Sequence, residues 1–540
     1  MIHKNLTKYF FYFLPIFLLI SFGRYGFEDA DTGFLMGLGW RFANGEIPYV
    51  DFSYVRPFMS IVHAALIVKV FPDFSQLFTL KIVPLLQLFF SVWLTLLALE
   101  KKYLLNVTDI LKYRVAIAGY IIATSSLSYY MIWHTIDGIF YQSIGLYFIS
   151  QIRSNQEICS LFFASFFLFL GVLCKQNFLA TFFLSFLFVF IVHGLKTTAK
   201  YIGLNLFIIS SAFLFIKFLG FGDVYFDAIS SKTSISDIYS SSIYPYIKSA
   251  SSDNAIIFIS LSLLLFFVDK KFGLRIFYIS FFIVPVFMLL ELYKDLSFSQ
   301  SINFRSTKLD WIIPFYAFLY IIYDSFLRKK LKDNALLILF FSLSWSSSVS
   351  WGANTPTLYF TPILVSLVYF YSTKSGKFNK HLIAAIQISA FIFMLQMLSP
   401  YRDSFVSKLN YNMGDIYPKA QYIKTDFETY EKHKEYVSLL KVYDVSQLTV
   451  LPSMPLSHYL VDAKNPYIID WAMDVESTMP PIEMIEELKS RVQYVFIETR
   501  SIGNPIGEPG SKFYSTVSDY VINHYEPVEK KNYFHVYKLN

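Results

Sequence analysis

A chain of 540 residues that is 55% hydrophobic, 20% aromatic and only 16% charged, with a mean hydropathy of +0.46, belongs to the polytopic membrane class. These values exclude a soluble globular or disordered protein. The net charge of +7 is no nucleic-acid footprint, because Lys and Arg fall in short clusters between apolar runs, as in cytoplasmic loops, and no basic face alternates with aromatics.

The two cysteines, Cys159 and Cys174, share one apolar segment. Fifteen residues of helix set them about 22 Å apart, beyond disulfide reach. There is no CxxC or HExxH, so neither a redox pair nor a zincin site is indicated. Lys4 and Lys8 precede an apolar run with no small-residue cleavage site, which reads as a retained signal anchor with the N-terminus inside.

With about 20 residues per span and Lys/Arg clusters as cytoplasmic markers, the chain threads from its start. Span 1 covers 9–23 and exits into an outer loop over 24–76. Within that loop, 32–43 reads as a short interfacial helix and 57–71 as a second, interrupted by His63 and Lys69. Span 2 runs inward over 77–99 to Lys101 and Lys102. Spans 3 and 4 turn outside near 133–137 and return at Arg153. Spans 5 and 6 turn at Lys175, Gln176 and Asn177 and return at Lys196 and Lys200.

Span 7 exits near Phe221 into a polar loop over 222–254, and span 8 returns to Lys270, Lys271 and Arg275. Spans 9 and 10 enclose Glu291, Lys294, Asp295, Arg305 and Lys308, and return to Arg328. Spans 11 and 12 enclose 351–356 and return at Lys374. Span 13 exits near Ser399. Every inward return meets a basic cluster, so a count of about thirteen is consistent with the positive-inside rule. The odd number puts the termini on opposite sides.

From Pro400 onward charges rise and apolar runs shorten. The pattern predicts helices over 427–443, 482–491 and 514–524, and strands over 448–451, 492–497 and 533–539. This is an α/β domain over 400–540 outside the membrane, with 1–399 as the transmembrane domain. Residues 503–510 lack the GK[ST] ending of a phosphate-cradling loop, so a binding or lid role fits this domain better than chemistry of its own.

The chemistry-bearing stretch is 27–57, FEDADTGFLMGLGWRFANGEIPYVDFSYVRP. It opens with Glu28, Asp29 and Asp31, turns at Asn44-Gly45, and carries Asp51 and Arg56. An acidic loop directly after a first span is where a polytopic enzyme would keep its catalytic groups, because charge is expensive in lipid. A long polyprenyl tail, at about 0.8 kcal/mol per buried CH₂, cannot leave the bilayer, so an enzyme using such a donor brings its groups to the membrane surface. Other readings stay open: Asp29 or Asp31 as a helix cap, Asp51 as a turn residue, Lys175 as a snorkelling side chain, the stretch 350–356 as a turn with a Trp anchor, and His63 as a surface histidine. His134 and Asp137, three apart, would share a helix face.

Glu28-Asp29-Ala30-Asp31-Thr32-Gly33-Phe34, then Gly45-Glu46-Ile47-Pro48-Tyr49-Val50-Asp51-Phe52 and Arg56-Pro57, resembles the first outer loop of GT-C glycosyltransferases. The nearest branch is that of bacterial aminoarabinose and mannosyl transferases, which use polyprenyl-phosphate sugars. The resemblance is specific in the first sixty residues and architectural beyond them. It implies transfer of a sugar, with inversion, from a polyprenyl-phosphate donor to a hydroxyl of a surface glycan, lipid or protein acceptor on the periplasmic side of a bacterial inner membrane.

The usual Asp-Glu pair reads here as Asp31-Thr32, with acids displaced upstream to Glu28 and Asp29, and the spacing of Asp31 to Gly45 and Pro48 resembles the family pattern. Asp31 is therefore the expected base, with Asp29 and Glu28 as the other candidates. The leaving phosphate needs fixed positive charge and donors, and Arg41, Arg56, Lys175 and Arg305 fall on the outer side, with Asp51 and Asp137 as further substrate contacts. No cofactor is implied; relatives differ in metal use, so a divalent metal stays open. The competing functions are a polysaccharide exporter or flippase, whose charges would line its spans, and a glycan polymerase or ligase, which expects a large late outer loop.

Overall fold

The computed structural model describes residues 2–103, 109–125, 130–153, 157–230, 321–349, 390–400, 403–499 and 514–539, with positions 244, 318, 387 and 388. The first half is helical: α1 (Ile2–Phe22), α2 (Asp31–Ala43), α3 (Met59–Val70), α4 (Gln76–Thr79), α5 (Ile82–Tyr103), α6 (Asp109–Ser125), α7 (His134–Ser150), α8 (Glu157–Cys174), α9 (Leu179–His193), α10 (Leu195–Phe218) and α11 (Gly222–Ser230), with α12 (Leu331–Ser348) later in the chain.

Among the described residues four helices are long and apolar enough to cross a membrane: Gln76–Glu100, Glu157–Cys174, Gln176–His193 and Leu195–Phe218. They coincide with the expected spans 2, 5, 6 and 7. The count of about thirteen is not reached within the described residues. Spans 8, 9 and 12 and much of span 10 lie outside them, as do the stretch 350–356 and most of the loop 222–254. Leu6–Phe22 is apolar but shorter than the other four.

Packing among these helices depends on small side chains, since apolar lipid offers little drive for helix association. A Cβ added at Gly145 of α7 would lie 2.6 Å from Leu168 Cγ of α8, so the two axes run as near as glycine permits. Cys159 is exposed and Cys174 buried, and both are free.

The described residues of 403–499 and 514–539 make a layered arrangement of sheet and helices. Strands β3 (Leu448–Leu451), β4 (Tyr494–Glu498), β5 (Pro527–Lys530) and β6 (Phe534–Lys538) make one sheet in the order β3-β4-β6-β5, and β1 (Tyr411–Asn412) and β2 (Lys424–Thr425) make a two-stranded ribbon. The β3–β4 pair is parallel, and β6 runs antiparallel to both β4 and β5. Helix α13 (Phe427–Leu439) covers one face, where Tyr436 meets Phe496 and Phe534 with centroids 6.2 and 6.1 Å away. Short α14 (Ser457–Leu460) follows β3. Helices α15 (Pro481–Arg491) and α16 (Thr516–His524) cover the other face through Met484, Leu488, Val517 and Val521, packed on Leu451, Val495 and Ile497.

Local chemistry accounts for these boundaries. Asp426 caps α13 by accepting from Thr429 N at 2.9 Å, Ser515 caps α16, and α15 starts on a proline whose missing N–H costs nothing there. Strand β3 spans its expected residues, while β5 was not expected. Proline opens it, its burial alternates, and it forms a sheet edge, where proline is tolerated.

Candidate active site

The acidic loop between α1 and α2 is built against the C-terminal unit. Lys424 N donates to Arg24 O at 2.7 Å and Gly26 N to Lys424 O at 3.0 Å, while Phe27 N donates to Asp403 Oδ2 at 3.0 Å. Burial pushes the Asp403 carboxyl up to about 6, against the lowering pull of its bond from Phe27 N. Lys81 closes the loop from below, its Nζ donating to Gly23 O at 2.7 Å, Tyr25 O at 3.2 Å and Gly26 O at 3.3 Å.

The three acids do three different things. Glu28 is the helix cap: Oε1 accepts from Ala30 N at 3.1 Å and Asp31 N at 2.9 Å, and Oε2 from Thr32 N at 2.7 Å. The cap role weighed for Asp29 and Asp31 thus falls on Glu28, whose oxygens are turned onto the backbone. Asp29 is a docking residue. Its Oδ2 accepts from His433 Nε2 at 3.1 Å and from Lys432 Nζ, both on α13, and its carbonyl accepts from Leu456 N at 3.2 Å. Burial lowers the His433 pKa although Asp29 works against it.

Asp31, the first residue of α2, is 5% exposed and lies within electrostatic reach of Arg56. Helix α2 was expected at the lipid interface, yet it is buried along almost its whole length. The reason is its glycine face. A Cβ at Gly33 would lie 2.4 Å from Leu456 N, and one at Gly37 2.9 Å from Pro455 O, so Pro455 and Leu456 press directly on the helix backbone.

Two expected substrate contacts have structural partners. Arg41 is buried: Nε donates to Glu46 Oε2 at 2.7 Å, Nη1 to Asp470 Oδ2 at 2.8 Å and to Tyr467 O at 3.1 Å, and Nη2 to Asp51 O at 3.0 Å. Burial opposes its charge, but Asp470 and Glu46 outweigh burial and hold its pKa above the ordinary value. Arg41 therefore ties the loop to 467–470. Asp51 is a turn residue, its Oδ2 accepting from Ile47 N at 2.7 Å. The turn also uses Gly45 at φ +91°, a conformation that L side chains resist.

Arg56 is different. Nη1 and Nη2 donate to the two carboxylate oxygens of Glu476 at 2.6 and 2.8 Å, and its guanidinium lies over the Phe34 ring at 5.5 Å. The burial of Arg56 opposes its charge, yet Glu476 outweighs this and raises its pKa. Lys175, between α8 and α9, points inward rather than snorkelling: it is 4% exposed, and Nζ donates to Thr135 Oγ1 and Val349 O, both at 3.2 Å. His134, at the start of α7, lies within electrostatic reach of Arg56 and Lys175.

Asp137 is completely buried. Its Oδ1 accepts from Gln87 Nε2 at 2.7 Å and meets His63 Nδ1 at 2.8 Å, so His63 is an intramolecular partner rather than a surface histidine. It is His63 of α3, not the neighbouring His134, that pairs with Asp137. Around this carboxylate, buried polar atoms stand without a hydrogen-bond partner: Asp137 Oδ2, Gln87 Oε1, Tyr54 OH, Ser60 Oγ and His134 Nδ1. Tyr54 lies within reach of Arg56, Glu476 and Asp137, which joins the loop cations to the α7 carboxylate in one polar zone.

Arg305 lies outside the described residues. Glu476, Tyr54, Ser60 and Gln87 were not among the residues expected from the sequence, and the first three carry no local signal. Gln87 alone had one, as a polar residue within an apolar span. Among the described residues no three His, Cys, Asp or Glu side chains converge as a metal site.

No protein-family model and no curated protein matches the chain. Among solved structures it is similar to ArnT from Cupriavidus metallidurans bound to undecaprenyl phosphate, over 99% of this chain and 98% of that one, with a TM-score of 0.52 at 9% identity. A weaker likeness, with a TM-score of 0.43 at 11% identity, covers 87% of this chain and 66% of the oligosaccharyltransferase AglB from Archaeoglobus fulgidus. At 9% identity the likeness is one of fold: the chain shares the overall fold of the ArnT structure, and among its described residues four helices are long and apolar enough to cross a membrane.

Proposed function

We propose that this protein is an inverting glycosyltransferase that moves a sugar from a polyprenyl-phosphate donor to a hydroxyl of a surface glycan, lipid or protein acceptor, on the periplasmic face of a bacterial inner membrane. Residues 1–399 form its membrane domain, with the N-terminus cytoplasmic, and 400–540 its periplasmic domain. The observation that carries this reading is the polar zone joining Asp31 and Arg56 of the first loop to Asp137, His134 and Lys175 at the ends of α7 and α8. A buried polar atom without a partner costs about 1–3 kcal/mol. One such atom on the Asp137 carboxylate and four around it suit a ligand rich in hydroxyl and phosphate oxygens.

In the reaction the acceptor oxygen attacks the anomeric carbon, its proton passes to Asp31, and the bond from that carbon to the phosphate oxygen breaks. The leaving phosphate carries away the electron pair. Arg56 and Lys175 supply positive charge where that negative charge develops, in a site withdrawn from water, where such stabilisation is strongest. Asp137 and Gln87 contact sugar hydroxyls. Glu28 and Asp29 hold the loop rather than the reacting atoms.

The test reconstitutes the protein in liposomes with polyprenyl-phosphate sugars and follows release of polyprenyl phosphate. Release that depends on acceptor and falls at least a hundredfold, about 2.7 kcal/mol, in Asp31→Asn supports the reading. Undiminished release in Asp31→Asn removes Asp31 as the base.

A further inference from the structure

Glu476 stands far from the first loop in sequence, in the turn at Asp474–Glu476, yet it meets Arg56 with both carboxylate oxygens, at 2.6 and 2.8 Å. The pair is shielded, with side-chain exposures of 18% for Arg56 and 10% for Glu476. We propose that Glu476 is a positioning residue for sugar transfer: it fixes the Arg56 guanidinium so that its remaining N–H groups face the phosphate of the donor. This rests on the reading of the site as a polyprenyl-phosphate-sugar transferase and assigns the C-terminal unit a part in it.

The geometry fits a holder rather than a competitor. An end-on fork uses one N–H of each Nη, and a guanidinium carries five, so the Nε–H and one N–H on each Nη stay available. No other acceptor for them is found among the described residues. The plane of the fork is set by the carboxylate, and a cation aligned in advance loses less entropy when charge develops beside it.

The turn that carries Glu476 is itself pinned on both sides. Asp474 Oδ1 accepts from Thr516 N at 2.9 Å and Oδ2 from Thr516 Oγ1 at 2.6 Å, fastening the turn to the first residue of α16. Asp474 N donates to Tyr514 O at 3.0 Å. On the other side Thr478 N donates to Ser53 Oγ at 3.3 Å, and Ser53 N donates to Ile468 O at 2.8 Å. Asp31 and Tyr54 both lie within electrostatic reach of Arg56, so an arginine released from Glu476 has a nearby carboxylate, the expected base, to collapse upon.

The experiment compares wild type, Glu476→Gln and Glu476→Asp in liposomes, measuring kcat for transfer and, separately, affinity for bare polyprenyl phosphate. Glu476→Gln removes one negative charge, so affinity for the phosphate stays level or tightens. Loss of alignment lowers kcat on the order of ten- to a hundredfold, and Glu476→Asp, which keeps charge but shortens the reach, falls between. A purely structural role would lower kcat and affinity together.

A kcat for Glu476→Gln within twofold of wild type overturns the assignment, as does loss of phosphate affinity. Should Glu476→Gln fail to fold, Glu476→Asp carries the test of alignment, because it keeps the charge and withdraws the carboxylate from the fork. A kcat within twofold of wild type for that variant overturns it equally. If the wild type transfers no sugar from any polyprenyl-phosphate donor, the transferase reading itself fails and this assignment falls with it, whereas a wild type that transfers leaves the two variants to decide.

Discussion

Replacing Arg41 separates a structural role from a donor-binding one. Arg41→Met removes bonds to Glu46 and Asp470 at 2.7 and 2.8 Å and to two carbonyls, and it leaves two carboxylates in a site where Arg41 and Asp470 show 5% and 3% side-chain exposure. Breaking a buried ion pair from one side costs about 3–5 kcal/mol, because the remaining charge stays uncompensated. For a unit of this size that lowers the thermal midpoint on the order of 10 °C. The assay is thermal unfolding of purified protein in detergent, beside polyprenyl-phosphate binding below the transition. Arg41→Met with Glu46→Gln and Asp470→Asn should recover much of the loss, since neutral partners need no counter-charge. A midpoint within about 2 °C of wild type, or normal stability with lost binding, refutes the structural account of Arg41.

Further expectations concern docking and pH. Gly33→Ala places a Cβ 2.4 Å from Leu456 N, where backbone cannot yield, so it should destabilise by about 1–3 kcal/mol and speed proteolysis within residues 452–480. Asp29→Asn should loosen the same contact, lowering transfer only as far as the folded fraction falls.

His458 and Asp403 act in opposite directions. Burial takes His458 from 6.5 to about 4, with Asp470 working against it, so its stability is fully present above pH 6.5 and lost as pH falls through about 4, worth about 3 kcal/mol. Asp403 goes from 3.8 to about 6, so its stability is present below pH 3.8 and lost as pH rises through about 6, again about 3 kcal/mol. From pH 6.5 to 4, relative to wild type, His458→Gln should therefore gain stability as the pH falls and Asp403→Asn should lose it. Parallel midpoint curves for all three proteins would contradict both assignments.

Much of the local structure was legible because periodicity and caps are local. The helix expected over 32–43 is Asp31–Ala43, that over 57–71 is Met59–Val70, and the strand 448–451 is Leu448–Leu451. The partners of the loop charges were not legible, because nothing in a local pattern relates Asp29 to His433, Arg41 to Asp470 or Arg56 to Glu476, pairs separated by 404, 429 and 420 residues. Arg41 and Arg56 read alike as cations on the outer side, and only the structure pairs them with distant carboxylates, Asp470 and Glu476. Gly33 and Gly37 were the available hint, since glycines four apart on a helix let another backbone approach closely.

The measurement that bears most directly on the central claim follows sugar transfer and lipid-linked glycan translocation in the same vesicles, with wild type and Asp31→Asn side by side. Wild type is expected to show acceptor-dependent transfer, Asp31→Asn to lose it, and both to retain polyprenyl-phosphate binding. Translocation of lipid-linked glycan without transfer from any polyprenyl-phosphate sugar would contradict it and identify the first loop as a binding element of an exporter.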